Sequence, residues 1–545
     1  MSRRAFSLSI TQSVLILLCI LLSFNSLALA NTENTEEKDA CNLSCDPLNN
    51  SHLSPGISSK AYVPPPGIMP VVVLQGSAYD MGYQYALQAG EDIAIVRDAA
   101  WASALAKNSS QEILHSCQVY QAYIIRELPR FNFSSFFQGM TDGMVDQGYR
   151  FGPDDPLVIL YWGGRQGPQP PDHCTTIAAF GNTTGGSLIA GTNFDYYHLP
   201  ANSYSLLLAL YPDDGNSCLI PSGAGRTGSN CAFSDKGLVY ILAAASQKGP
   251  GDSGPGITGF LELPYVAMTC SYAPEAEDFL INCTRMFGLN RMLLDAGGNA
   301  TVLEGTRARF ALRTAGDNNE SDYLVVTNHY MSPIMKPSQP VWEPLKYYPS
   351  SYYRYLTAEK MISARQGRFN YSAAVQTLSS TDWWDGKEWH LDDPWSTNTI
   401  NRFRPDVATL YSAIAVPEDH VVSICSGNPG IPRWGTLAPG QSGAFVNFTL
   451  GSRPEDLVFN LKEDASAAMW KTVQAMGTHP QQDATNMWAD VQDSYWEAVW
   501  WLDRAVLEER RNQRAVAWGR ASSGFAQAVA RAETIRELCG PHPTN

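Results

Sequence analysis

The sequence predicts an α+β protein on three observations: apolar residues at helical spacing in the N-terminal part, short strands and turns in the middle, and a C-terminal stretch that returns to helical spacing. The 545 residues are 44% hydrophobic and 11% aromatic, which is enough for a large core, and the length calls for one large domain with additions or for two. Lys and Arg total 38 against 53 Asp and Glu, a formal charge of -15, and no basic run interrupts the acidic balance. A nucleic-acid partner is thereby disfavoured, since neutralising phosphates requires clustered Lys and Arg.

Residues 1–30 read as an export signal: Arg3 and Arg4, an apolar stretch from Val14 to Leu22, and Ala28-Leu29-Ala30 as a small-x-small cleavage site. Cleavage there starts the mature chain at Asn31 in a secreted or periplasmic location. Residues 31–66 are rich in Asn, Glu, Ser and Pro and read as a polar arm. Ala86, Ala89, Ile93 and Ile113 lie in a run from Met81 to Tyr123 with helical spacing, so residues 67–173 read as a mainly helical segment. Arg165 to Asp172, with Gly167, Pro168, Pro170 and Pro171, is a loop. Strands are predicted at 175–180, 187–194, 204–211 and 237–245, helices at 261–271 and 274–287, and strands again near 290–303 and 323–327. Residues 461–545 read as a helical extension in which Trp488, Trp496, Trp500 and Trp501 form a buried stripe.

Eleven cysteines suit an exported protein. Cys41 with Cys45, Cys218 with Cys231, and Cys270 with Cys283 are spaced for pairing, although spacing does not determine connectivity. No CxxC pair with matching His spacing supports zinc. The run Trp383-Trp384-Asp385-Gly386-Lys387-Glu388-Trp389-His390, with Trp395, either lines an acyl or sugar pocket or packs as a loop against the core. His390 with Asp392 and Asp393 lacks a second cluster of metal ligands.

The chemistry concentrates at Cys174. Thr175 and Thr176 follow it directly, and Gly191-Thr192-Asn193-Phe194-Asp195 lies about one hairpin downstream. A thiol is mostly protonated near neutral pH and needs a base to attack an amide. An α-amino group, with a reference pKa of about 7.7 to 8, is well placed for that work. If the bond between His173 and Cys174 is cut, Cys174 carries both thiol and base. Asp195 then offers an anion to orient the amine, and Asn328, after the apolar strand Val325-Val326-Thr327, offers a side-chain amide for the oxyanion. No metal or organic cofactor is required.

Cys174-Thr175-Thr176, Gly191-Thr192-Asn193-Phe194-Asp195 and Thr327-Asn328-His329 resemble the signatures of the acyl-coenzyme A:6-aminopenicillanic acid acyltransferase family, the C45 peptidases. These are related to choloylglycine hydrolases and penicillin V acylases among the N-terminal-nucleophile (Ntn) hydrolases. Gly76 to Gln84, Ser234-Asp235-Lys236-Gly237-Leu238, and Leu293 to Ala296 with Gly298 and Glu304 extend the resemblance to about Val71–Leu450. It implies a four-layer αββα sandwich with added N- and C-terminal helices and a core over residues 174–460. It further implies a precursor that cuts itself between His173 and Cys174, giving an α chain and a β chain that stay associated. Cys174 would be the nucleophile, Asp195 the partner of its amine and Asn328 the oxyanion side chain. Asn193 and Thr175 would support them, and Thr409, in Ala408-Thr409-Leu410-Tyr411, is a looser match to a hydroxyl near the nucleophile. The implied substrate is a small N-acyl amine or amino acid whose linear carbon to nitrogen bond is split through a thioester. Water, or in a transfer reaction an amine, takes the acyl group, and acyl-coenzyme A is a further partner of such a transfer.

Two positions depart from the family pattern: Thr192 stands where the bile-salt and penicillin V branch usually has Arg, and His173 where the acyltransferase branch often has Gly. A reading from another class is a secreted binding protein that keeps the fold without the chemistry. Two fragments with Cys174 at a new terminus separate the enzyme from it.

Overall fold

A computed structural model describes residues 68–162, 174–197, 205–339, 349–404, 407–429, 442–477 and 482–539. The export signal, the polar arm, Cys41 and Cys45, the Arg165–Asp172 loop and His173 lie outside the described residues.

Strand β1 (Val71–Gly76) leads into α1 (Ala78–Leu105), whose start is set by a capping box: the Ser77 hydroxyl accepts from Asp80 N while the Asp80 carboxylate accepts from Ser77 N. Ser109 and Glu112 repeat the device at α2 (Ser110–Glu127), and α3 (Phe133–Asp146) and α4 (Asp155–Trp162) follow. The middle of the chain runs β2 (Cys174–Phe180), the single turn α5 (Gly181–Thr184), β3 (Gly186–Tyr197), β4 (Ser205–Pro212), β5 (Cys218–Gly223), β6 (Cys231–Ser234) and β7 (Val239–Ala244). Helices α6 (Gly259–Thr269) and α7 (Ala273–Asn282) precede β8 (Leu289–Leu294), β9 (Ala300–Gly305), β10 (Phe310–Thr314) and β11 (Tyr323–Val326). Next come α8 (Pro349–Ser363), α9 (Tyr371–Leu378) and the short hairpin of β12 (Trp383–Trp384) and β13 (Trp389–His390). Strands β14 (Val407–Val416), β15 (Val421–Ser426), β16 (Asn428–Pro429), β17 (Ser442–Gly443) and β18 (Phe445–Thr449) lead to α10 (Pro454–Met476), α11 (Gln482–Leu507) and α12 (Arg511–Cys539).

Two sheets carry the core, one in the order β1-β4-β5-β6-β7-β8-β9-β10 and one in the order β11-β2-β3-β14-β15-β18. Strand β4 shows why they stack. Leu206, Leu208 and Leu210 point into a cluster with Ile93, Phe136 and Ile159 of the N-terminal helices, while Leu207, Ala209 and Tyr211 join Ala178, Ala190 and Ile424 of the second sheet. A strand covered on both faces is apolar throughout rather than alternating. Beyond the second sheet, Ile177, Ala179 and Ile414 meet Tyr355 and Ile362 of α8 and Leu378 of α9. The layers therefore read helices, sheet, sheet, helices: an α+β protein with the αββα order that the resemblance implies.

Strand β1 lies at the edge of its sheet, where its unpaired backbone would be open to another chain. Side chains close it at every second residue. Ser523 of α12 accepts from Val71 N at 2.8 Å and donates to Val71 O at 3.0 Å. Gln88 does the same at Val73 (3.2 and 2.8 Å), and Gln84 at Gln75 (2.7 and 2.8 Å). Trp518, Ala521 and Phe525 of α12 also enter the cluster between the sheets, so the C-terminal extension completes the core.

Several expectations are corrected. Cys218, Cys231, Cys270 and Cys283 are free thiols. Cys218 belongs to the cluster on the helical side of its sheet and Cys231 to the cluster between the sheets, so the sheet itself separates them. Trp496 and Trp500 are 50% and 54% exposed instead of buried; α11 turns Val491, Ala498 and Leu502 inward. The helix predicted to Phe287 ends at Asn282, where Cys283 takes an extended conformation, and the strand near 290–303 is two strands joined by a turn. The Trp383–His390 run packs on α8. Trp384 N donates to Thr357 Oγ1 at 2.8 Å, and the Trp383 ring stacks 3.9 Å from His390. His390 Nε2 lies 3.3 Å from Asp385 Oδ2, and Glu388 is grouped with them, while Asp393 accepts from Trp383 Nε1 at 3.1 Å.

Candidate active site

Cys174 opens β2, buried at 5% exposure, and its backbone N–H donates to Asn328 Oδ1 at 3.0 Å. The two meet because β11 pairs antiparallel with β2 in a register that sets Val326 opposite Thr176, which carries Asn328 past the strand end to the level of Cys174. Asn328 Nδ2 donates to Ala244 O at 2.9 Å, at the end of β7, so this side chain spans the mouth between the two sheets. Arg354 of α8 donates through Nη2 to Asn328 Oδ1 at 2.7 Å and through Nη1 to Thr175 Oγ1 at 3.0 Å and to the Cys174 carbonyl.

On the other side, Cys174 pairs with Phe194 of β3, so Asp195 is the next residue along the neighbouring strand. Asp195 Oδ1 accepts from Thr409 Oγ1 at 2.7 Å, and its Oδ2 lies 3.3 Å from Arg402 Nε. Thr409 Oγ1 in turn accepts from Arg402 N at 3.0 Å. A break in register between Thr409 and Tyr411 turns Thr409 toward Asp195, the usual use of a bulge beside a site. Asn193, two residues before Asp195, accepts from Ser412 Oγ at 2.6 Å and donates to Leu378 O and Ile400 O at 2.9 and 3.0 Å. It ties the segment between α9 and β14, which carries Arg402, to the strand that carries Asp195.

A second polar chain crosses between the sheets. The Tyr411 hydroxyl bonds Ser229 and the Asn230 side-chain oxygen, Asn230 Nδ2 donates to Thr192 Oγ1 at 3.2 Å, and Thr192 meets Thr176 at 3.0 Å, two residues from Cys174. Thr192, where a cation stands in some relatives of the family, is here a link in this neutral chain. Burial pushes the Cys174 thiol up to about 12; Asp195 pushes the same way, while Arg354 and backbone hydrogen bonds from Asp195 and Ala244 pull it down. The sulfur of the uncut chain is thus a protonated thiol near neutral pH. His329, beside Asn328, bonds Ser351 Oγ (2.8 Å) and Thr327 Oγ1 (3.1 Å) through Nδ1, and burial followed by the charges of Arg354 and Arg313 pushes it down to about 3. It is neutral and faces Ser351, so it is not placed as the base for the thiol.

Cys174, Thr175, Asn193, Asp195, Asn328 and Thr409 thus gather around the ends of β2, β3, β11 and β14. Arg354, Arg402, Ser351, Tyr411 and Asn230 complete the surroundings. Sequence reasoning missed these five. Arg354 lies 180 residues from Cys174, and its Ser-Tyr-Tyr-Arg surroundings carry no motif. Tyr411 sat within a quoted strand, but only the inter-sheet packing gives its hydroxyl partners.

Residues 182–430 match the family model described as acyl-coenzyme A:6-aminopenicillanic acid acyl-transferase, a stretch that includes Asp195, Asn328 and Thr409 and begins shortly after Cys174. A curated protein of Archaeoglobus fulgidus, described only as uncharacterized, is 23% identical over 312 residues, 48% of this chain and 50% of its own. The chain thus spans about half the length of that relative. Among solved structures, the N-acylethanolamine-hydrolyzing acid amidase ortholog of Caenorhabditis elegans is similar at 17% identity and TM-score 0.30, over 45% of this chain and 93% of its own. Penicillin V acylase of Agrobacterium tumefaciens is similar at 13% and 0.29, over 46% and 83%, and a conjugated bile acid hydrolase mutant of Clostridium perfringens at 12% and 0.31, over 51% and 97%. The resemblance read from the motifs is therefore matched by the family model over residues 182–430.

Proposed function

We propose that the protein is an exported, self-processing N-terminal-cysteine amidase or acyltransferase that splits the linear carbon to nitrogen bond of an N-acyl amine or amino acid through a thioester on Cys174. The observation that carries this reading is the Cys174 nitrogen held on Asn328 Oδ1 beside Asp195. An N–H anchored there becomes, after cleavage, an amine whose position is already set.

In the first step the Cys174 thiol adds to the His173 carbonyl carbon, the peptide carbon to nitrogen bond breaks with the nitrogen taking a proton, and the acyl group passes to sulfur. Water opens this thioester, its oxygen going to the acyl carbon and a hydrogen returning to sulfur. In turnover the freed amine takes the thiol proton, sulfur attacks the substrate carbonyl, and the departing amine receives the proton. Asp195, with Thr409 and Arg402 on its two oxygens, is a fixed anion near that amine. Water completing the cycle gives hydrolysis, and an amine gives transfer; acyl-coenzyme A is scarce outside cells, which favours hydrolysis. The two chains stay together in this reading, because β1 pairs with β4 from Val71 to Gly76 and α1 to α4 share one core with β4.

Intact-mass analysis with terminal sequencing of the purified protein tests the proposal. Two chains, the second beginning with Cys174, are expected, and Cys174→Ala should leave one inactive chain. An active protein with the 173–174 bond intact would overturn it.

A further inference from the structure

We infer that Arg354 is a positioning residue that sets which way the Asn328 amide faces, and through it the place of the Cys174 nitrogen. The inference rests on the reading of Cys174 as the nucleophile. A guanidinium only donates hydrogen bonds, so the atom of Asn328 that meets Arg354 has to be its oxygen. Oδ1 then accepts from Arg354 Nη2 at 2.7 Å and from Cys174 N at 3.0 Å, and Nδ2 is left for Ala244 O at 2.9 Å. Reversing the amide would set donors against donors at Arg354 and Cys174, and oxygen against oxygen at Ala244.

The same guanidinium grips the other side of Cys174, through its carbonyl and Thr175 Oγ1. One turn earlier on α8, Ser351 Oγ accepts from Asn328 N at 2.8 Å and bonds His329 Nδ1. Arg354, Ser351 and Asn328 are all fully buried. Helix α8 therefore holds both the backbone and the side chain of Asn328, and the strand end does not carry that alignment alone. Once the chain is cut, Asp195 of β3, itself paired with Arg402, faces the new amine and favours its ammonium form, while Arg354 of α8, a fixed cation on the other side, disfavours it. Arg354 thus extends the active range toward acid as well as aligning the nucleophile.

The test uses the full chain and compares Arg354→Met with Arg354→Lys, which keeps the charge without the planar fork and also serves if the Met variant does not fold. Cutting is followed by intact mass. Turnover of an N-acyl p-nitroanilide by the cut form is followed as a function of pH. In Arg354→Met, cutting is expected to slow by roughly 100-fold and kcat to fall by a similar factor with KM nearly unchanged, the pattern of lost alignment. The acid limb is expected to move up by about one pH unit, and Arg354→Lys should restore that limb but not kcat. Wild-type cutting rate, or an unmoved acid limb, in Arg354→Met would overturn the inference.

A second arm reads the contact without any chemistry: thermal melting of Arg354→Met, Asn328→Ala and their combination, all in the uncut Cys174→Ala chain. The double variant should melt at least about 3 °C above the additive expectation. Additive losses overturn the role of Arg354, whereas coupling in that background together with a wild-type chain that never cuts overturns the nucleophile reading instead.

Discussion

The backbone N–H of Cys174 and the side-chain oxygen of Asn328 lie 3.0 Å apart, across 154 residues of chain. The contact joins the first residue of β2 to the residue just beyond the end of β11, two neighbouring strands of one sheet. It is the point from which the arrangement of the candidate site follows, because everything that positions Asn328 also positions the nitrogen of Cys174.

Asp195 faces Arg402 and Thr409 in a buried setting, so its removal strands a cation. Asp195→Asn is expected to destabilise the chain by about 3–5 kcal/mol, whereas Thr409→Val, which removes the two neutral-donor hydrogen bonds to Asp195 and from Arg402 N but leaves the ion pair, should cost about 1–3 kcal/mol. Denaturant unfolding in the Cys174→Ala background measures both. Equal losses would mean that Arg402 finds another partner.

His329 predicts a stability that depends on acid. Its folded-state pKa of about 3 lies below the ordinary 6.5. As the pH falls below about 6.5 the unfolded chain takes up a proton that the folded chain refuses until about 3. The stability linked to this group is thus complete above 6.5 and declines by roughly 1 kcal/mol per pH unit toward 3. Denaturation curves at pH 7, 5.5 and 4.5 should show a shallower decline for His329→Gln than for the wild type.

The closed edge of β1 gives a prediction about association. Gln88→Leu removes the partners of both Val73 N and Val73 O, and Ser523→Ala those of Val71. Each should cost about 1–3 kcal/mol, and the pair should raise light scattering near the melting transition as the strand edge becomes available to other chains. Scattering no higher than wild type would assign the protection to packing of α12 alone.

Two glycines predict how tightly α1 and α3 cross. A Cβ at Gly82 would lie 1.9 Å from Phe136 O, and one at Gly139 2.1 Å from Tyr79 O. Gly82→Ala should therefore destabilise by about 3 kcal/mol or more. Gly298→Ala meets nothing within 4 Å and strains only a backbone at φ +86°, so about 1 kcal/mol is expected. Melting curves of the two variants decide the order.

The elements of the core were legible where burial leaves a mark on composition. Strand β4 reads as an apolar run because helices cover one of its faces and the second sheet the other. Packing partners were not legible. Helical spacing places Trp496 and Trp500 on one side of α11 but does not say which side is covered, and the interval from Cys218 to Cys231 does not say that the two thiols face opposite sides of a sheet.

The α+β class and the succession Cys174, Asp195, Asn328 and Thr409 can be read along the chain, because strand patterning and motif order are local properties. That Arg354, Ser351 and Arg402 surround them, that Thr192 belongs to a neutral chain leading to Tyr411, and that α12 closes the edge of β1 emerges from the folded molecule. Those relations depend on which strands pair and which helix lands on which face. They are settled by burying apolar surface and satisfying buried donors across long stretches of chain, and no neighbouring residues record the outcome.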